Sequence, residues 1–160
     1  MQFLNYFLLS IAAFSGILLV IILIKIAPEE QKPLIKYFIF SKKILLVLMF
    51  AFLAFFYIFD SLSLFLSILL LFPAFFVEFK SEDSARKLSE LFALLGIIFF
   101  LSSPNANLLA IMSALIFLYG ALFSGIICSK NSIRTLASGS VFLLVSGALF
   151  LFNYHFSFLI

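Results

Sequence analysis

The chain has 160 residues, of which 66% are hydrophobic and 11% charged, with a mean hydropathy of +1.32; soluble globular domains use roughly 45–50% apolar residues. An ordinary soluble fold is therefore excluded, and ten basic against seven acidic residues, net +3, are too few and too interrupted to line a nucleic-acid groove. The expected setting is a bilayer: a multi-pass integral membrane protein of a prokaryotic cytoplasmic membrane, with membrane lipids as partners.

A spanning helix needs about 20 largely apolar residues, and six segments approach this. The first predicted helix, 3–26, ends before Pro28. No basic stretch precedes it and no small-x-small cleavage site follows, so it reads as a permanent helix rather than a signal peptide. Next comes the most charged stretch of the chain, "IKIAPEEQKPLIKYFIFSKKILL", in which Pro28 and Pro33 are expected to bound a short turn. The second helix, 34–59, spans if Lys36, Lys42 and Lys43 snorkel to the headgroups. The third, 62–79, follows a tight hairpin at Asp60 and Ser61, and Pro73 is expected to kink it.

The fourth, 84–102, is the weakest, because Arg86, Lys87 and Glu90 occupy its first turns. Without it the chain would have five spans. "SSPNAN", Ser102 to Asn107, is a turn signal, after which come the fifth helix, 106–129, and the sixth, 132–158. With six spans and both termini on the outer side, all ten basic residues fall on one face, where positive residues collect on the cytoplasmic side. Asp60 is then the single charged side chain on the opposite face. Tyr6, Tyr57 and Tyr154 at outer ends and Tyr37 at an inner end suit an aromatic belt.

In this arrangement the middle of every helix lacks Asp, Glu, Lys, Arg and His, which disfavours a proton-driven carrier. The polar groups at depth are Tyr119, with Ser113 and Ser124 near the same face. They serve either as contacts between helices or as ligand contacts, with the Pro73 region as a possible cavity. Helix packing is signposted by Ala12 and Gly16 in the first helix and by Ala110, Ala114, Ala121 and Gly125 in the fifth. Ser140 and Gly147 give the sixth a matching stripe, so the fifth and sixth helices are expected to approach closely, with the first joining them.

The 25 phenylalanines read as lipid-facing. His155 and Cys128 are each single, and no HExxH, GxSxG, P-loop or acidic metal motif is present, so neither cofactor nor metal is expected. Glu78, Glu82, Asp83 and Glu90 gather on the basic face, where "SEDSARKLSE" reads as a capped helix start. A headgroup-modifying enzyme using these carboxylates together with Glu29 and Glu30 is the weakest reading. Glu29 and Glu30, with Lys32, Lys36, Lys42 and Lys43, are the candidate contacts for a cytoplasmic partner or lipid headgroups. The expected role is a non-enzymatic membrane-embedded subunit or scaffold, associating with other membrane proteins or with itself. The alternative is a compact carrier or channel for a neutral or lipidic solute.

Overall fold

The computed structural model describes residues 3–26, 28–58, 65, 69, 72–73, 75–78, 85–127 and 132–157. Among them the regular structure is α-helix: α1 (Phe3–Ile26), α2 (Pro28–Phe56), α3 (Ala85–Leu101), α4 (Ala106–Ile127) and α5 (Ser132–Ser157). The described residues of the segment 65–78 are helical as well. A chain immersed in hydrocarbon must satisfy its backbone polar groups internally, and a helix does so within one segment.

Among the described residues, four stretches are long and apolar enough to cross a membrane: Leu4–Ile26, Pro33–Phe56, Ala106–Ile126 and Thr135–Asn153. In α3 the apolar part is Ser89–Leu101, which at 1.5 Å per residue is about 20 Å long against a hydrocarbon core of about 30 Å. The charged residues that weaken this helix in the sequence thus shorten its apolar length. Most of the expected third helix lies outside the described residues.

The short turn expected between Pro28 and Pro33 is helix instead, and Pro28, which with Glu29 and Glu30 also reads as a good first helical turn, is its first residue. α2 starts at Pro28 and runs unbroken through Pro33. Proline suits the first helical position, and Pro33 sits so near the start that its missing N–H costs a bond only to the first turn. The turn at 102–104 forms as expected, and Asn105 caps α4: its Oδ1 accepts from the Asn107 and Leu108 backbone N–H groups at 3.0 and 3.2 Å.

α4 is the hub. α1 packs along it most extensively and α2 packs on it too, while α5 packs against α3 and α1. Each helix buries a stripe at four- and three-residue spacing: Tyr6, Ser10, Ala13 and Ile17 in α1, and Leu108, Met112, Leu115, Tyr119 and Phe123 in α4. Close approach occurs where side chains are missing. A Cβ on Gly16 would fall on the Phe117 backbone carbonyl of α4. One on Gly120 of α4 or Gly139 of α5 would lie 3.0 or 2.5 Å from the Ile17 side chain, so Ile17 fills a junction of three helices.

The expected pairing of the fifth and sixth helices is overturned. α4 and α5 touch little, whereas α1 packs on both of them. Gly147 has nothing within 4 Å of a placed Cβ, and Ser140 donates to Ala137 O of its own helix. Ala12, Ala110 and Ala114 are exposed, whereas Ala13 is buried and Ala121 half-buried. Gly125 does pack, but against Phe38 of α2, 3.0 Å from a placed Cβ. Small residues permit close packing without dictating it, since alanine is equally at home against lipid.

Tyr6 is likewise not a belt residue. It is buried, stacked on Phe150 with centroids 4.3 Å apart and tilted to Phe99 at 5.1 Å. Its hydroxyl donates to Ser146 O at 3.1 Å. Tyr57 donates to Leu101 O at 2.6 Å, joining the ends of α2 and α3, and Tyr37 is exposed.

Candidate functional site

A buried charge cluster forms where α2, the segment 65–78 and α4 meet. Lys42 continues the buried stripe of Leu46, Met49 and Leu53, one turn earlier, and therefore points at α4 rather than at solvent. Its ammonium pairs with Glu78 Oε1 at 2.8 Å, with the two side chains only 5% and 1% exposed. The Tyr119 hydroxyl donates to the other carboxylate oxygen, Oε2, at 2.9 Å. Four residues on, the Phe123 ring lies under the Lys42 ammonium, 4.8 Å from Nζ to centroid.

The aromatic surroundings extend further. The Tyr119 and Phe123 rings are tilted at 5.9 Å, and Phe92 of α3 meets Phe123 edge-on at 6.4 Å. The ammonium thus has a carboxylate on one side and an aromatic face on another, and the carboxylate has a cation and a hydroxyl donor. Lys42 and Glu78 are the buried charged residues among those described.

The cluster lies deep within the apolar stretches of α2 and α4. Lys42 is about 14 Å along α2 from Pro33, where the apolar stretch begins, and Tyr119 about 12 Å from Ile127, the end of α4, at 1.5 Å per residue. Phe38 against Gly125 puts these two helix ends side by side, so both distances are measured from the same side of the bundle.

Of the candidate ligand contacts, Tyr119 alone joins this cluster. Ser113 donates to Leu9 O of α1 at 3.0 Å, and Ser124 to Ala121 O of its own helix at 3.0 Å. Pro73 is half-buried. Lys36 is exposed and Lys43 half-buried, as side chains reaching for an interface would be, but Lys42 turns inward. The side chains of Glu29, Glu30 and Lys32 lie outside the described residues. The expectation that no ionisable group sits at depth is thus overturned by Lys42 and Glu78, both of which read in the sequence as belonging to the basic face. Only the stripe shared by Lys42, Leu46, Met49 and Leu53 hints at the burial; nothing comparable marks Glu78.

Among the described residues no three His, Cys, Asp or Glu side chains come together to hold a metal ion. The cluster sets a carboxylate, a hydroxyl that donates to it and an aromatic face around one ammonium group. No protein-family model matches the chain, and no curated protein or solved structure is detectably similar to it.

Proposed function

We propose that the protein is a six-span membrane subunit or scaffold, non-enzymatic, with both termini on the outer side and three basic connections in the cytoplasm. The observation that carries this reading is that buried side-chain polar groups tie helices to one another. Tyr6 bonds α1 to α5, Ser113 bonds α4 to α1, and Tyr119 and Lys42 converge on Glu78. Such bonds brace a bundle from within and leave its apolar exterior, including Phe40, Phe55, Phe72 and Leu144, to lipid and membrane partners. The orientation is supported by the sequence, in which a six-span arrangement brings the basic residues, apart from the inward-turned Lys42, toward one face.

Reconstitution of the purified protein alone in liposomes tests the role. A scaffold gives no saturable flux of sugars, amino acids or organic cations, and flux abolished by Tyr119→Phe would end this reading. Topology has a separate test: in a Cys128→Ser background, a Cys at Asn105 is labelled by impermeant maleimide from outside and one at Lys36 from the cytoplasm.

A second reading, a compact carrier, is favoured by one observation, the ion pair at depth. Charged side chains inside a membrane are costly and commonly mark the path of an ion or substrate.

A further inference from the structure

We propose that Glu78, Tyr119 and Phe123 form a binding site for a primary alkylammonium group, and that Lys42 is its tethered resident occupant. The inference concerns binding alone, so it goes beyond the scaffold reading and does not depend on the carrier reading.

The cluster braces the bundle, but bracing does not call for charge. Replacing a buried ion pair by apolar residues of similar volume is often neutral or stabilising, so a bundle with an extensive apolar core does not need one here. What the cluster does contain is a complete recognition set for one ammonium ion. Glu78 Oε1 receives the cation at 2.8 Å, and Tyr119 holds Oε2 at 2.9 Å and so fixes the carboxylate. Phe123 offers its face at 4.8 Å, where ring quadrupoles attract ammonium groups. All three groups lie on α4 or the segment 65–78, and Lys42 alone comes from α2. Nothing in this chemistry requires the ammonium to be attached to α2. A monocation entering as Lys42 withdraws would leave the charge of the site unchanged, which is the condition for exchange at membrane depth.

The same chemistry is supplied by a free alkylamine or by an ethanolamine headgroup. In either case the incoming group competes with a tethered one whose effective concentration is millimolar or more. Binding to the native chain is therefore expected to be at least about tenfold weaker than to a chain without the lysine side chain.

The test truncates the occupant. Lys42→Ala in phosphatidylcholine nanodiscs is titrated with n-propylammonium, which replaces the removed atoms, and with n-propanol as the neutral control. The expected result is a saturable rise in the thermal midpoint with propylammonium, at least tenfold tighter than any effect of propanol, and lost when Glu78→Gln is added. Repeating the titration with phosphatidylethanolamine in the bilayer separates the two sources. Weaker apparent propylammonium binding there identifies the headgroup as an occupant, and no change identifies the free amine.

No rescue beyond that of propanol overturns the proposal, as does rescue that survives Glu78→Gln. If Lys42→Ala does not fold, the native chain decides. Propylammonium proton lines should broaden on adding it and sharpen again with Glu78→Gln; broadening indifferent to Glu78, or none, overturns the site.

Discussion

Lys42 and Glu78, on different helical segments, meet at 2.8 Å with almost no exposed side-chain surface. Removing one partner of such a pair strands the other charge, which costs about 3–5 kcal/mol. Lys42→Met should therefore be severely destabilised in thermal unfolding of the detergent-solubilised protein. Lys42→Met with Glu78→Leu should recover most of the loss. A double variant no more stable than Lys42→Met would show that the stranded charge is not the cause.

Tyr119→Phe keeps the ring beside Phe123 and deletes only the donor to Glu78 Oε2. A hydrogen bond to a charged group is worth about 1.5–3 kcal/mol. The contact from Ser113 to Leu9 O joins two neutral groups, for which membrane proteins average about 0.6 kcal/mol. Tyr119→Phe should thus lower the unfolding midpoint clearly more than Ser113→Ala, and equal effects would argue against the Tyr119–Glu78 bond.

Gly16 and Gly147 predict opposite responses to the same change. At Gly16 a side chain meets the Phe117 carbonyl, and backbone cannot step aside as a flexible side chain can, so Gly16→Ala should cost at least about 1–3 kcal/mol. At Gly147 there is open space, and exchanging glycine for alanine within a helix gains up to about 1 kcal/mol. Unfolding midpoints of the two variants in one detergent decide the matter: no loss at Gly16 would contradict the α1–α4 contact, and loss at Gly147 would contradict the open space there.

Tyr6 separates ring from hydroxyl. Tyr6→Phe keeps the stacking on Phe150 and Phe99 and loses only the bond to Ser146 O, at a cost of about 0.6 kcal/mol. Tyr6→Ala empties a core position that is 2% exposed, and large-to-small changes of aromatic residues in cores cost about 3–5 kcal/mol. If Tyr6 instead sat in an interfacial belt, the two variants would unfold at nearly the same temperature.

Much of the architecture is legible in the chain itself. Long uncharged runs require helices in a bilayer, because no other open segment satisfies its own backbone there. The Ser, Pro and Asn residues at 102–107 dictate a turn through local chemistry, and Asn105 caps the next helix by the same local means. Helical character and the short apolar length of α3 both follow from residues close together in sequence.

Which way each helix faces was decided only by the tertiary structure. Lipid is as apolar as a protein interior, so a helix that is apolar all round carries no inside and outside in its composition. That is why Ala13 and not Ala12 is buried, and why α4 takes α1 and α2 rather than α5 as its main neighbours. The same ambiguity hid the charge cluster. Lys42 and Lys43 are adjacent and chemically identical, and a rotation of about 100° per residue separates a half-buried lysine from one held against Glu78, Tyr119 and Phe123.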